Sequence, residues 1–263
     1  MLVVLDEWFH CQALSVEKDK CTIKPVQVGN KRESLQRTLQ SVKPGWLTKH
    51  LRLKPYEWHE ELAYFSEIAQ NHRYVLYFYE PRYANIDNLF RIRNLLLPDK
   101  QLYLVPVYGN RAEALFLLHH VCQWWEQQPL TVTFRALQTY TEQLKRQMTR
   151  IIITPEPLKL VNWKKMNAVY RASSKKTYCL VKSEGRQKSK KSEVGELTQL
   201  WRNMLEDVEE DQEVWALCKG IPEELPALDH VYRIGEPALP VNIPFVHAVI
   251  TPKSMIIPQH KSA

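Results

Sequence analysis

Glycine is scarce in this chain, with seven glycines among 263 residues against sixteen prolines. Loops that cradle phosphate groups depend on glycine, because the backbone must approach the ligand closely and adopt positive φ angles. The sequence accordingly has no G-x-G-x-x-G, Walker A or G-x-S-x-G motif, and no set of protein-kinase motifs. A dinucleotide or ATP site of standard type is therefore disfavoured, and we predict no cofactor.

Cysteine is also sparse, and the five cysteines are odd in number with no C-x-x-C pair. A disulfide framework or a zinc ribbon is therefore disfavoured, and the usage is typical of a reducing compartment. None of the nine histidines stands in an H-E-x-x-H motif, so no metal site is predicted.

Long apolar runs are missing as well. No window approaches eighteen uninterrupted apolar residues, which excludes a membrane-spanning helix of ordinary type. The opening "MLVVLDEWFHC" turns charged after four apolar residues and lacks the basic and long apolar regions of a secretory signal. We therefore expect a cytoplasmic protein without a membrane partner.

What the chain does contain is a series of short, apolar, aromatic-rich runs separated by helical patterns. Runs at 73–81, 101–110 and 150–157 have continuous apolar centres, and the segments 85–98, 111–128 and 133–148 between them have helical periodicity. Strands that are buried on both faces and joined by helices are typical of parallel sheets. We predict an α/β fold whose N-terminal part has a short, mostly parallel sheet flanked by helices.

The pattern changes after about residue 157. Shorter strands alternate with a basic loop at 182–191 and an acidic helix at 195–211. We therefore predict an α/β core over 1–157 and an α+β region with antiparallel strands over 158–263, while a single shared core stays open as the alternative.

Charge is strongly segregated in that second region. Residues 175–191 have a net charge of +6 and residues 192–224 a net charge of −8, within a chain whose formal net charge is +7. Because neutralising phosphates releases counterions, such a basic segment is typical of backbone contacts with nucleic acid. The predicted nucleic-acid-binding residues are Lys164, Lys165, Lys175, Lys176, Lys182, Arg186, Lys188, Lys190 and Lys191.

This pattern predicts a non-catalytic accessory protein that contacts RNA or DNA through a basic face. A protein-interaction subunit of a larger complex is the first alternative, because the acidic helix and the aromatic residues could serve as docking surfaces. No catalytic residue is assigned.

An enzyme acting on a phosphorylated substrate is the second alternative. The loops that follow parallel strands meet at one edge of the sheet, which is where ligands bind in this class of fold. Carboxylates there suit acid–base work, arginines suit phosphate, and the helix that begins at "GNRAE" attracts anions at its N-terminus. The residues of this predicted strand-end pocket are Glu80, Arg82, Tyr83, Asn110, Arg111 and Glu156.

Overall fold

The computed structural model describes residues 1–9, 20–25, 27–28, 53–81, 84–96, 100–108, 110–128, 133–155, 178–185, 190–219, 230–233 and 245–253. These residues form two compact units. The first unit contains the described residues up to Tyr108, and the second contains those from Asn110 onward.

The sheet of the first unit has four parallel strands in the order β2-β1-β5-β6. A two-stranded antiparallel ribbon, β3-β4, accompanies it. The strands are β1 (Leu2–Asp6), β2 (Cys21–Lys24), β3 (Gln27–Val28), β4 (Leu53–Lys54), β5 (Tyr74–Tyr79) and β6 (Gln101–Pro106). The prediction of a short parallel sheet is confirmed.

Burial explains why these strands read as continuous apolar runs. Val3, Val4 and Leu5 in β1 are almost completely buried, as are Leu76 and Phe78 in β5. Since neighbouring side chains of a strand point to opposite faces, both faces of this sheet are covered.

Two helices of the first unit flank these strands along the chain: α1 (Trp58–Asn71) and α2 (Ile86–Leu96). The start of α1 is fixed by Glu60, whose carboxylate accepts a hydrogen bond of 3.3 Å from the backbone N–H of Glu57. Its buried face contains Phe65 and Ala69, together with one acid, Glu61. The helix therefore introduces a carboxylate into an otherwise apolar contact.

The second unit contains a six-stranded sheet in the order β11-β10-β12-β7-β8-β9. Five strands, β10 to β9 in that order, pair antiparallel, and β11 joins the edge of β10 in parallel. The strands are β7 (Thr149–Pro155), β8 (Tyr178–Glu184), β9 (Lys190–Gly195), β10 (Gln212–Lys219), β11 (His230–Arg233) and β12 (Phe245–Pro252). Antiparallel strands in the C-terminal region are thus confirmed.

One apolar run lies in a different sheet from the one expected. Strand β7 pairs with β12 and β8 in the antiparallel sheet rather than with the parallel strands. An apolar run indicates that a strand is buried on both faces, but it does not indicate whether the strand is parallel or antiparallel to its neighbours. The domain boundary predicted at residue 157 lies outside the described residues and stays a prediction.

The described helices of the second unit are α3 (Arg111–Glu126), α4 (Phe134–Arg146) and α5 (Leu197–Glu206). Helix α5 buries Leu200, Trp201 and Met204 in the core of this unit. The helix ends at Glu206, so most acids of the acidic helix predicted at 195–211 follow the helix instead of belonging to it. Since acids at a helix C-terminus oppose the macrodipole, this early ending is the more favourable arrangement.

Among the described helices, none has the length and apolar composition needed to cross a lipid bilayer.

Candidate functional site

The strand order of the first unit defines a switch point in the parallel sheet. The chain passes from β1 to β2 on one side, and β5 and β6 lie on the other side of β1. In open α/β sheets the ligand crevice lies at the carboxyl ends of the strands where the order reverses. Here that position is between β1 and β5, and Asp6 ends β1 while Glu80 directly follows β5.

Asp6 links the ends of these two strands. Its Oδ2 accepts a hydrogen bond of 2.8 Å from the backbone N–H of Glu80. Its Oδ1 accepts a short hydrogen bond from the hydroxyl of Tyr77, on β5. Glu80 itself has no exposed surface. Within the described residues, the ends of β1 and β5 are therefore joined through the Asp6 carboxylate.

A buried ion pair adjoins this contact. Lys24, at the end of β2, places Nζ 2.6 Å from Oε1 of Glu61 and donates a second hydrogen bond of 3.1 Å to the Tyr77 hydroxyl. Lys24 is 4% exposed and Glu61 is 1% exposed. The ammonium also lies 4.3 Å from the centre of the Tyr56 ring and 5.6 Å from that of Phe65. Aromatic faces and one carboxylate thus surround the cation.

These residues form a continuous chain of hydrogen bonds. It runs from Glu61 through Lys24 and Tyr77 to Asp6, and ends at the backbone N–H of Glu80. We call these five residues the switch-point cluster. Its members come from α1, β2, β5, β1 and the residue after β5, so only the folded sheet assembles it.

Burial determines how the acids of this cluster ionise. Desolvation raises the pKa of Asp6 above its ordinary value, although the Lys24 ammonium and the hydrogen bonds from Tyr77 and Glu80 oppose the rise. Desolvation likewise raises the pKa of Glu61, which Lys24 opposes and the Asp6 charge reinforces. The same burial and the neighbouring acids raise the pKa of the Tyr77 hydroxyl. The cluster therefore retains protons more readily than exposed carboxylates do.

In the second unit, Asn110 and Arg111 are buried at the start of α3. The side-chain oxygen Oδ1 of Asn110 caps the helix by accepting a hydrogen bond of 3.2 Å from the Glu113 N–H, and its Nδ2 donates to the backbone oxygen of Ala248 at 3.0 Å. The Arg111 N–H donates to Nδ1 of His247 at 3.2 Å, so a neutral His247 has its proton on Nε2. The predicted helix start is therefore real, and strand β12 fixes its position.

A bidentate ion pair also fixes the first turn of α3. Glu113 accepts from Nε of Arg150 at 2.6 Å and from Nη2 at 3.1 Å. Nη1 of Arg150 donates to the carbonyl oxygen of Gly185 at 2.6 Å, directly after β8. This contact holds the helix, strand β7 and the turn after β8 together.

The predicted strand-end pocket is only partly described. Glu80 belongs to the first unit and contacts Asp6, whereas Asn110 and Arg111 belong to the second unit. Arg82, Tyr83 and Glu156 lie outside the described residues. The pocket as a whole stays a prediction.

Sequence reasoning missed four members of the cluster: Asp6, Lys24, Glu61 and Tyr77. The signal for Asp6 was present, because "LVVLD" places an acid at the end of an apolar run, as "YFYE" does for Glu80. Glu61 is one of the two adjacent acids of "WHEEL", and nothing in their order marks which of them is buried.

Few of the predicted nucleic-acid-binding residues can be placed. Lys182 lies in β8 with Nζ 3.5 Å from Oε1 of Glu184, so an adjacent carboxylate matches its charge. Lys190 and Lys191 belong to β9 rather than to a loop, and Lys190 lies opposite Lys182. The remaining six lie outside the described residues: Lys164, Lys165, Lys175, Lys176, Arg186 and Lys188.

No protein-family model matches this chain, and no curated protein matches it either. Solved structures do match it over nearly its whole length. One is a hypothetical protein from Thermotoga maritima described as revealing a fatty-acid-binding function, with a TM-score of 0.62 and 9% identity, covering 95% of this chain and 98% of that chain. A second Thermotoga maritima structure, a DegV lipid-binding protein, has a TM-score of 0.60 and 9% identity over 95% and 98%.

A stearic-acid-binding protein from Eubacterium ventriosum is similar to the same extent, with a TM-score of 0.60 and 14% identity, covering 96% of this chain and 99% of that chain. The chain therefore has a DegV-like α/β fold.

These structures overturn the predicted function. Proteins of this fold are described as binding fatty acids or lipids, so both the nucleic-acid-binding function and the nucleic-acid partner were wrong. The physical reason is that a run of lysines records a well-solvated segment and contains no information on which ligand the fold encloses. The comparisons do not test the two alternatives, a protein-interaction subunit of a larger complex and an enzyme acting on a phosphorylated substrate, and these stay predictions.

Proposed function

We propose that this protein binds the acyl chain of a long-chain fatty acid or a related single-chain lipid. The observation that supports this proposal is the likeness, over at least 95% of both chains, to structures described as fatty-acid-binding or lipid-binding. Because fold alone does not specify function, the proposal depends on ligand measurements with this chain.

The chemistry of such a ligand fits the composition of the protein. An acyl chain gains about 0.8 kcal/mol for each methylene removed from water, which corresponds to roughly a fourfold gain in affinity per carbon. A polypeptide with 44% hydrophobic residues and few glycines is suited to lining an apolar site rather than to binding anions with its backbone. The same proposal includes a cytoplasmic location, because the number and spacing of the cysteines are typical of a reducing compartment.

The test is a titration of delipidated protein with saturated fatty acids of ten to eighteen carbons, by displacement of a fluorescent fatty acid. We expect one molecule bound per chain and an affinity that rises about fourfold per carbon until the site is filled. Octadecanedioic acid is the matched control, because its second carboxylate would have to be buried at the far end of the site. Affinity that is independent of chain length, or equal binding of the diacid, would refute the proposal.

A further inference from the structure

Helix α2 exposes apolar side chains that its own chain leaves uncovered. Of the five large apolar side chains that are exposed in the described residues, three lie on this helix: Ile86 (39% exposed), Phe90 (39%) and Leu95 (62%). Ile86 and Phe90 are four residues apart, so they form one ridge beside the buried stripe of Leu89 and Ile92. Such a concentration of exposed apolar surface on one element is typical of an interaction site.

Two arginines of the same helix lie on aromatic rings beside this ridge. The Cζ atom of Arg91 lies 4.4 Å from the centre of the half-buried Trp58 ring of α1. That of Arg93 lies 4.9 Å from the centre of the Phe90 ring, and its guanidinium also donates to the side-chain oxygen of Asn94. Aromatic rings and arginines are enriched among the residues that anchor protein interfaces. We call the four side chains involved the α2 face: Ile86, Phe90, Arg91 and Arg93.

A second surface of the chain has the opposite charge. The acidic turn, residues 205–211, joins α5 to β10 and contains five acids and no cation. All of its carboxylates are exposed, and within the described residues none of them forms an ion pair. The nearby cation Lys253 donates instead to the backbone oxygen of Glu210 at 2.7 Å. Leu205 and Val208 lie between the acids and are only partly buried against the core of the second unit.

The two surfaces are complementary in charge and in apolar content. The α2 face has two guanidinium groups beside an apolar ridge, and Asp87 is the one acid of the helix. The acidic turn has carboxylates beside two aliphatic side chains. Since the α2 face is exposed in the single chain, whatever covers it comes from another molecule.

We propose that the α2 face of one copy of this protein binds the acidic turn of a second copy. Arg91 and Arg93 pair with the carboxylates of the turn, and the Phe90 ring packs against Leu205 and Val208. Each copy has both surfaces, so the contact either closes as a pair related by a two-fold axis or continues from head to tail.

The composition of this contact determines its strength and its salt dependence. Exposed ion pairs contribute little each, so the self-association depends on protein concentration rather than being permanent. Raising the salt from about 0.05 M to about 1 M shortens the screening length to roughly 3 Å. We therefore expect the dissociation constant to rise at least about tenfold over that range.

Sedimentation equilibrium of the full chain at several concentrations measures this association. Arg91→Glu/Arg93→Glu reverses the charge of the α2 face, and we expect the variant to be monomeric where the wild type associates. Glu209→Lys/Glu210→Lys removes most of the charge of the acidic turn, and we expect the same result. An equimolar mixture of the two variants contains one intact copy of each surface, so the association should return.

Two further variants separate the apolar contribution from a general effect of charge. Phe90→Ser keeps both arginines but removes the ring, and we expect the dissociation constant to rise about tenfold. Arg73→Glu/Arg135→Glu is the matched control, because it changes the net charge as much as the reversal of the α2 face does, at two other exposed arginines. It should associate as the wild type does. Circular dichroism shows that each variant is folded.

The outcomes are decisive in either direction. A wild-type protein that stays monomeric at every concentration overturns the proposal, and so does an association that salt does not weaken. A mixture of the two folded charge variants that stays monomeric shows that the α2 face and the acidic turn do not bind each other. Cosedimentation of monomeric wild type with vesicles of phosphatidylcholine and phosphatidylglycerol, lost in Arg91→Glu/Arg93→Glu, would assign the α2 face to an anionic lipid surface instead.

Discussion

Replacement of Lys24 by methionine tests whether the buried ion pair stabilises the first unit. Methionine keeps the length and apolar character of the stem but removes the ammonium. Glu61, which is 1% exposed, then loses the cation at 2.6 Å, and the Tyr77 hydroxyl loses its donor. Glu61 would consequently be buried either as an uncompensated charge or as a neutral acid.

The magnitude follows from the burial of both partners. Removal of one partner of a buried ion pair costs about 3–5 kcal/mol, because the remaining charge stays desolvated without compensation. For a chain of this size, about 2–4 °C per kcal/mol gives a lower melting temperature by roughly 10 °C. Restoring an uncharged pair with the double variant Lys24→Met/Glu61→Leu removes the uncompensated acid, so most of the loss should be recovered.

The assay is urea unfolding of the wild type, both single variants and the double variant, monitored by circular dichroism. The double-mutant cycle isolates the interaction between Lys24 and Glu61 from the loss of other contacts. We expect a coupling free energy of about 2 kcal/mol or more. A single Lys24→Met variant that loses less than about 1 kcal/mol, as an exposed pair would, or a double variant no more stable than the single one, would refute the reasoning.

Three further expectations concern other contacts. Gly185→Ala should lower the free energy of unfolding in urea by about 1–2 kcal/mol, because Gly185 has φ +51° and an added Cβ would lie 3.2 Å from a backbone carbonyl oxygen. Gly195→Ala is the control, since a Cβ there would make only ordinary contacts. Equal losses in the two variants would contradict this prediction. Glu113→Gln should lower stability by about 2 kcal/mol by weakening the bidentate contact with Arg150, and a melting temperature unchanged by calorimetry would contradict it. Because burial raises the pKa of Glu61, the folded state keeps a proton that the unfolded chain loses. The free energy of unfolding should therefore fall as the pH rises from the ordinary carboxylate range through the raised pKa. Glu61→Gln should flatten this slope, and parallel pH profiles of the variant and the wild type would refute the assignment.

Much of the architecture could be predicted from local patterns in the sequence. The runs that became β5 and β6 are apolar on both faces, which only a covered sheet satisfies, and the parallel pairing followed from the helical segments between them. The start of α3 was likewise readable, because Asn110 is a helix-capping residue directly before an apolar helical run. These features depend on neighbours in sequence.

Other features depend on partners that the sequence does not specify. The strand β7 has the composition of the parallel strands, yet antiparallel β12 and β8 are its neighbours. The nucleic-acid interpretation failed for a related reason, since charge along the chain describes solvation while the enclosed ligand depends on which residues the fold brings together.

The sequence by itself determined the two kinds of sheet and the starts of the described helices, because periodicity and caps act over a few residues. Only the tertiary structure decided that Asp6, Lys24, Glu61 and Tyr77 meet at one edge of the parallel sheet. Strand order creates that meeting, and strand order is set by the packing of segments up to 71 residues apart, over which local pattern has no influence.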